Sequence, residues 1–210
     1  MKLNLSVDEV LTTTRTVRKR LDLSKPVPRA IIEECLELAL QAPNGSNLNV
    51  WRWIVVDDRA TIAAIAGLYK AGLEVYAKDH YRANSGVPDE AKLMDSAMTL
   101  LRVMDRVPAM LVPLMPGRVE GKNASDQAVM WGSIVQAVWS FCLALRERGL
   151  GSAWTTVTLE RENDVADVLG IPLEQYTQVG LFPIAYTLGT DFKRAWRKPV
   201  SEVLSYNKFQ

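Results

Sequence analysis

The chain has 210 residues, of which 48% are hydrophobic and 23% charged, a length and balance typical of one globular domain spanning residues 1–210. Its formal net charge of +1 excludes a general electrostatic attraction to nucleic acid or to an anionic membrane. The single histidine, His80, excludes sites that need several imidazole ligands, and two cysteines are too few for a disulfide framework, so no metal site is predicted.

Local signals predict the elements of the first half of the chain. Ser6 opens a capping box, which starts a first helix. A second helix is predicted to begin near Pro28, where a proline costs a helix least, and to end at Pro43. After a polar loop, an aromatic and β-branched stretch predicts a strand over Trp51 to Asp57, and Asp58 can cap the helix that follows.

The helical pattern is weaker in the segment from Tyr69 to Asn123. Up to Pro88, its tyrosines and glycine suit a mobile cover better than a core, and helical spacing then returns. Ala109 to Met115 is predicted as a strand, and because Pro113 lacks an N–H, as an edge strand or a bulged one. We expect residues 69–123 to form a variable cover segment over a binding site.

The most apolar predicted helix runs from Ala124 to Arg148 and is ended by Gly149. Its apolar residues surround most of the helix axis, which indicates burial on nearly all sides and favours a place in a subunit interface. Three further elements are predicted: a strand over Ser152 to Thr158, a helix over Glu160 to Leu169 stopped by Gly170, and a strand over Thr177 to Leu188. Helices and strands do not alternate strictly, so an α+β fold is favoured.

The two ends and the apolar runs bear on localisation. No uninterrupted apolar run reaches the roughly 20 residues that a membrane span requires. The first residues, from Met1 to Asn4, lack the apolar core of a signal peptide. A cytoplasmic protein with no membrane partner is predicted.

A basic cluster follows the first predicted helix: Arg15, Arg18, Lys19 and Arg20. It is either a solvated run of charge or an anion site. The planar guanidinium of arginine matches phosphate oxygens, and Thr16 adds a hydroxyl donor, which favours the second interpretation. Spacing alone leaves both open.

Two glycine-containing stretches are further candidates. The loop Ala42–Trp51 concentrates amides before a strand, and is either only a turn or the lining for a flat heteroaromatic ring. In Gly149–Ser152, Gly149 is a helix C-cap, whereas Gly151 would let backbone approach a ligand closely. Because these glycines follow a helix instead of opening one, they are not a dinucleotide-binding fingerprint.

In this order, the motifs resemble those of the nitroreductase superfamily, whose members are FMN-binding oxidoreductases that form intertwined homodimers. The resemblance runs from Thr14 to Val203. Thr14–Arg18 is similar to the family's R-[RS]-S-x-R stretch, with Thr14 in place of its first arginine. Three further stretches match the family's partner-facing flavin loop, its G-L-G-[ST] turn and its R-x-P-[LV] tail: Ala42–Trp51, Gly149–Ser152 and Arg197–Val200.

The resemblance implies roles for individual residues. Arg15, Thr16 and Arg197 would hold the flavin phosphate, and Arg18 would stabilise negative charge near N1 of the reduced flavin. Backbone N–H groups around Thr155 and Thr156 would face N5. The residues expected to contact the partner subunit's flavin are Pro43, Asn44, Gly45, Asn47 and Asn49.

The resemblance also implies a central mixed, mainly antiparallel sheet flanked by helices, and a function. FMN would take hydride from NAD(P)H and pass it to a small oxidised acceptor (nitroaromatic, quinone or similar) in a ping-pong cycle on a homodimer. No side chain need act as a catalytic acid or base, and Tyr76 and Tyr81 in the cover segment would bind the substrate. The alternative is a flavin-binding storage or sensor protein without significant turnover.

Overall fold

The structure, a computed structural model, describes residues 2–80 and 90–209, without the side chains of residues 76–80 and 90. In this part of the chain, helices flank one six-stranded sheet. The α-helices are α1 (Val7–Thr13), α2 (Arg29–Ala39), α3 (Arg59–His80), α4 (Glu90–Val103), α5 (Ala124–Glu147) and α6 (Glu162–Leu169). The strands are β1 (Leu21–Asp22), β2 (Arg52–Val56), β3 (Ala109–Pro116), β4 (Leu150–Ser152), β5 (Tyr176–Gln178) and β6 (Phe182–Thr187).

The sheet confirms the predicted α+β class. Its strand order is β1-β6-β3-β2, with β4 also paired to β6 and β5 also paired to β3. All five ladders are antiparallel. Because successive side chains of a strand point to opposite faces, Leu111 and Met115 of β3 enter a core with α2 and α5, whereas Met110 and Val112 enter a second core with α3 and α4.

Several predicted helix ends are confirmed by their caps. The Ser6 hydroxyl completes the capping box of α1. Pro28 is the N-cap of α2, which ends at Ala39, before the predicted stop at Pro43. Gly170 ends α6 in the left-handed conformation, with φ of 66°.

The predicted edge position of the strand containing Pro113 is wrong. β3 is a central strand, with β2 on one side and β5 and β6 on the other. Pro113 lies where β3 changes partner from β6 to β5, and its carbonyl accepts a hydrogen bond from Val179 N at 3.0 Å in that gap. The N–H that proline lacks would face the same gap, so no ladder hydrogen bond is lost.

The predicted cover segment, residues 69–123, is largely part of the fold. Helix α3 continues through its first part as far as His80, and Tyr69 is only 5% exposed in the second core. Strand β3 also falls within it. The cover interpretation is therefore wrong for Tyr69 and for β3; residues 81–89, including Tyr81, lie outside the described residues.

Helix α5 is less buried within one chain than its composition predicts. Its buried residues begin at Ile134, and Val129 and Trp139 remain 52% and 46% exposed. Among the described residues it is the helix long and apolar enough to cross a membrane. Its C-terminal half packs in the core against α2, as the core helix of a globular domain does.

The strands differ from the prediction in three ways. The strand predicted over Ser152 to Thr158 is instead β4, followed by a 3₁₀ turn over Val157–Arg161. The strand predicted over Thr177 to Leu188 is divided into β5 and β6, because Gly180 between them has a φ of 141°. The short strand β1 has no counterpart in the prediction.

Candidate functional site

The N-terminal basic motif lies along strand β4. Val17 N donates to Ser152 O at 2.8 Å, and Thr16 forms a parallel bridge with Ser152. A Cβ at Gly151 would lie 2.7 Å from the Val17 side chain and 2.8 Å from that of Thr187. Gly151 therefore permits this close packing between protein segments, and the predicted approach to a ligand is not its only use.

Ion pairs divide the basic cluster into two halves. Lys19 pairs with Asp95 of α4, and Arg20 pairs with Asp191 at 2.5 Å. Within the described residues, no carboxylate pairs with Arg15 or Arg18. Lys19 and Arg20 thus form ion pairs within the chain, as surface residues do. The binding of a ligand by Arg15 and Arg18 stays a prediction.

Arg18 is half-buried, and Tyr69 of α3 is near it. Burial lowers the pKa of the Arg18 guanidinium, and the Tyr69 phenol opposes this shift. Burial also raises the pKa of Tyr69, which keeps the phenol neutral. A guanidinium that is partly desolvated and lacks a carboxylate binds an anionic group strongly, because it donates charge-assisted hydrogen bonds to it.

Arg15 and Thr16 are both exposed beside β4. Arg15 Nη1 donates to Lys193 O at 2.9 Å, which brings the C-terminal tail to the N-terminal motif. Arg197 lies four residues further along and donates to the carbonyl of its neighbour Trp196 at 2.7 Å. No contact in the described residues joins Arg15 to Arg197, and their joint binding of a phosphate stays a prediction.

Thr155 and Thr156 differ in what they can offer. Thr155 is buried, and both its N–H and its hydroxyl donate to Leu181 O, at 3.0 and 2.7 Å. Its donors are therefore occupied by the fold. Thr156 is exposed at the start of the 3₁₀ turn, and its N–H has no partner among the residues that the structure describes.

The amide-rich loop of residues 43–49 is ordered by its own side chains. Asn44 and Asn49 bond to each other twice, both at 3.0 Å, and Asn49 Nδ2 donates to Asn47 O at 2.9 Å. Gly45 N donates to Ser133 Oγ of α5 at 2.9 Å. The amide of Asn49 is thus used within the loop, and Pro43 is exposed beside it.

The loop and the basic motif lie at different parts of helix α5. The loop is fixed at Ser133, whereas β4 and the basic motif lie near the helix end, around Arg146. Thirteen residues of α-helix separate these two positions, a distance of about 20 Å along the axis. One chain therefore does not bring the loop to the arginines.

Two buried donors without partners in the described residues lie beside the motif: one on Ser152, which ends the matched Gly149–Ser152 stretch, and one on Arg146, which no sequence motif includes. Arg146 Nη1 and Ser152 Oγ are both buried and make no hydrogen bond in the described part of the chain. Both residues line a small cleft together with Thr14 and Arg15. In the sequence, Arg146 looked like an ordinary cation at a helix C-terminus, so no local signal marked it.

The side chains of the two tyrosines predicted to bind substrate lie outside the described part of the structure. Tyr76 is on α3, but its side chain is among those not described, and Tyr81 lies outside the described residues. Their role stays a prediction.

Comparisons with known proteins agree with the fold and the motif order. The sequence matches the nitroreductase family over residues 11–186. A relative from Bacillus subtilis (strain 168), named "Putative NAD(P)H nitroreductase YfhC", is 26% identical over 165 residues, which cover 78% of this chain and 75% of that protein.

Solved structures show the same fold at lower identity. Oxidized iodotyrosine deiodinase bound to FMN and 3-iodo-L-tyrosine has a TM-score of 0.74 at 20% identity, over 97% of this chain and all of that one. The FMN and NADPH-dependent nitroreductase NfnB of Sphigopyxis sp. strain HMH has a TM-score of 0.72 at 22% identity, over 98% of this chain and all of that one. A nitroreductase-like family protein from Bacillus cereus has a TM-score of 0.70 at 20% identity, with both chains covered fully. The family match extends over most of the chain and includes the basic motif, β4 and all of the sheet except the last residue of β6, so the chain belongs to the nitroreductase family.

Proposed function

We propose that the chain is an FMN-dependent oxidoreductase that passes hydride from NAD(P)H to a small oxidised acceptor, such as a nitroaromatic or a quinone, in the cytoplasm. Membership of the nitroreductase family supports an oxidoreductase. The name of the Bacillus subtilis relative supports NAD(P)H as the donor. The FMN named for the deiodinase and for NfnB supports the cofactor.

The two arginines without a carboxylate partner are the observation that carries this proposal. Arg15 and Arg18 flank the point where Val17 bonds to β4, and neither forms an ion pair in the described part of the chain. The buried donors of Arg146 and Ser152 lack partners close by. An anionic, phosphate-bearing cofactor fits this set of donors, because it would neutralise charges that the fold leaves unpaired.

Each group of the chain then has a task in binding and orientation. FMN, when bound, supplies hydride transfer at its N5. Arg18 would stabilise negative charge near N1, and its partial burial strengthens that interaction. Arg15 and Thr16 would bind the phosphate from the exposed side, with Arg197 joining them from the tail. Thr156 N–H is the free donor for the N5 edge, whereas Thr155 positions it through Leu181.

A second copy of the chain would complete the site. The loop of residues 43–49 lies about 20 Å from the arginines of its own chain along α5, so its amides and Pro43 would reach the flavin of the partner. Apolar residues of α5, including Val129 near its start and Trp139 in its second half, are exposed in a single chain. Burial of this surface would stabilise the homodimer that brings the loop into place.

The substrate side of the proposal rests on Tyr76 and Tyr81. We expect Tyr76→Ala and Tyr81→Ala, made singly, to change the ratio of kcat/KM for a nitroaromatic over a quinone while FMN affinity stays the same, because a stacked ring contributes to substrate binding. Steady-state kinetics with both acceptors measures the ratio. An unchanged ratio in both variants would contradict the role of these tyrosines.

The cofactor and the turnover are tested on the purified protein. We expect it to be yellow, to release FMN and no FAD on denaturation, and to oxidise NAD(P)H steadily when a quinone is supplied. Chromatography of the released cofactor and absorbance at the nicotinamide band measure these outcomes. A flavin-free protein would contradict the cofactor assignment, and bound FMN without turnover would indicate a storage or sensor protein.

A further inference from the structure

A buried arginine without a carboxylate lies beneath the proposed phosphate site. Arg146, at the end of α5, is 6% exposed. Its Nε donates to the hydroxyl of Thr13 at 3.2 Å and its Nη2 to the carbonyl of Thr190 at 3.0 Å. Both partners are neutral, and in the described residues no acidic side chain forms an ion pair with it. A buried charge in this state is destabilising unless an anion joins it.

The surroundings of Arg146 differ from those of the other arginines near it. Arg148, two residues on, is equally buried but pairs with Glu34 at 2.7 Å. Arg20 lies on the same Phe192 ring as Arg146, with its Cζ 4.3 Å and that of Arg146 5.0 Å from the centroid, and it pairs with Asp191. The fold therefore pairs two of these three cations with a carboxylate, whereas Arg146 forms no ion pair in the described residues and only the charge of Glu147 nearby opposes its own.

Two of the buried donors that lack partners in the described residues belong to residues lining one cleft. Arg146 and Ser152 line it, and their Nη1 and Oγ are the buried donors without a hydrogen bond. Arg15, which is exposed, lines it as well, so the cleft connects the buried pair with the guanidinium at the surface. The hydroxyl of Thr14, another lining residue, is turned to Val10 O at 2.7 Å. The buried donors of the cleft without a partner in the described residues are thus those of Arg146 and Ser152.

The size of the cleft limits its occupant. Its volume is about 10 Å³, which is close to the smallest space that accommodates one water molecule. A whole phosphate does not fit, but one phosphate oxygen does.

We propose that Arg146 and Ser152 form an inner anion subsite that binds one terminal oxygen of the ligand's phosphate, while Arg15 binds the same phosphate from outside. This inference rests on the proposed function for the identity of that phosphate as the FMN phosphate. The subsite selects phosphorylated flavin over riboflavin, because riboflavin brings no anion to the buried guanidinium. In the absence of FMN, inorganic phosphate can bind in the same way, with one oxygen in the cleft and the rest outside it.

The test compares phosphorylated and unphosphorylated flavin on the full-length chain freed of flavin. FMN and riboflavin are titrated by fluorescence quenching, and thermal unfolding is followed with and without inorganic phosphate. We expect Arg146→Met to weaken FMN binding about 10- to 100-fold, as the loss of a charge-assisted hydrogen bond does. The riboflavin affinity of this variant should stay within about threefold of the wild-type value. Inorganic phosphate should raise the unfolding temperature of the wild type, which we call phosphate protection, and should leave that of Arg146→Met unchanged. Ser152→Ala should change FMN binding in the same direction by a smaller factor.

Arg148→Met is the matched control, since it removes a buried arginine from the same helix end that already has a carboxylate. It should lower the unfolding temperature and keep the wild-type preference for FMN over riboflavin. If Arg146→Met does not fold, Ser152→Ala and Arg146→Lys decide the question through the same preference.

The outcomes separate this inference from the proposed function. Variants at Arg146 and Ser152 that retain the wild-type preference and phosphate protection would overturn the subsite, even if NAD(P)H turnover with FMN is observed. The opposite result is a wild-type protein that binds no flavin but is stabilised by inorganic phosphate, together with an Arg146→Met variant that is not. It would support the subsite and overturn the proposed function.

Discussion

At the scale of single residues, pairing with a carboxylate divides the cations of the basic cluster into two sets. Four cations, Arg15, Arg18, Lys19 and Arg20, lie within six residues, yet their partners differ. Lys19 and Arg20 pair with Asp95 and Asp191. Arg15 and Arg18 have no such partner in the described residues. The charge run alone did not separate them, because the acids that pair with it lie at least 76 residues away in sequence.

This distinction predicts the effect of removing each cation. We expect Arg15→Ala and Arg18→Ala each to weaken FMN binding by about one to two decades, since each loses a charge-assisted hydrogen bond of about 1.5–3 kcal/mol. Lys19→Ala is the control, because an exposed ion pair contributes little. Fluorescence titration with FMN gives the affinities. Equal affinity in all three variants and in the wild type would show that Arg15 and Arg18 are solvated surface residues.

At the scale of elements, two glycines of α3 have opposite surroundings. A Cβ at Gly72 would meet the carbonyl oxygen of Val157 well inside van der Waals contact, and a Cβ at Gly67 would meet nothing within 4 Å. Val157 begins the 3₁₀ turn that follows Thr156. The close approach of α3 therefore fixes the backbone that carries the proposed N5 donor.

The two glycines make a matched pair of substitutions. We expect Gly72→Ala to destabilise the protein by about 1–3 kcal/mol, as overpacking does. Gly67→Ala should stabilise it by about 0.5–1 kcal/mol, because alanine restricts the unfolded chain at no steric cost. Urea unfolding of both variants measures this. A Gly72→Ala variant as stable as Gly67→Ala would contradict the close packing of α3 on the turn.

An ion pair between the exposed Glu34 of α2 and the buried Arg148 at the end of α5 predicts a pH dependence. Arg148 Nε donates to the Glu34 carboxylate at 2.7 Å, and this hydrogen bond lowers the pKa of Glu34 below its usual 4.5. Because the pKa is lower in the folded than in the unfolded chain, the pair stabilises the fold above pH 4.5. That stabilisation is lost as the pH falls through the folded-state pKa.

Glu34→Gln should therefore unfold at a lower temperature than the wild type at neutral pH, and the difference should shrink as the pH is lowered below 4.5. Glu33→Gln, on the adjacent position of α2, is the control and should follow the wild-type curve. Thermal unfolding by circular dichroism across this range measures both. A difference that does not depend on pH would contradict the linkage to Glu34.

At the scale of the whole molecule, the exposed apolar residues of α5 support the proposal of a homodimer. Val129 and Trp139 leave apolar area open on a helix whose other apolar residues, such as Phe141, are in the core. The tail adds Trp196, Tyr206 and Phe209, which are also exposed. So much apolar surface is typical of an interface between subunits.

We expect a homodimer by light scattering at micromolar concentration, and expect Trp139→Glu to shift it towards monomer and to lower FMN affinity, because the partner's loop would leave the site. Val168→Glu, at an exposed apolar position of α6, should leave the dimer intact. A wild-type monomer with flavin bound would contradict the shared site.

The sequence by itself determined what depends on near neighbours. Ser6, Pro28 and Gly170 were predicted correctly as helix boundaries, because a cap acts within three or four residues. The order of the motifs also indicated the nitroreductase family, since those short stretches are defined by adjacent residues.

Only the tertiary structure decided what depends on contacts between distant segments. Pro113 reads as an edge residue until β3 is seen to change partner beside it. Tyr69 reads as a cover residue until α3 brings it into a core near Arg18. The local sequence suggests a surface cation at Arg146, whereas in the fold it is buried and bonds to Thr13 and Thr190. In each case the deciding partner lies tens of residues or more away, and burial and hydrogen bonding there are set by packing, which local periodicity does not encode.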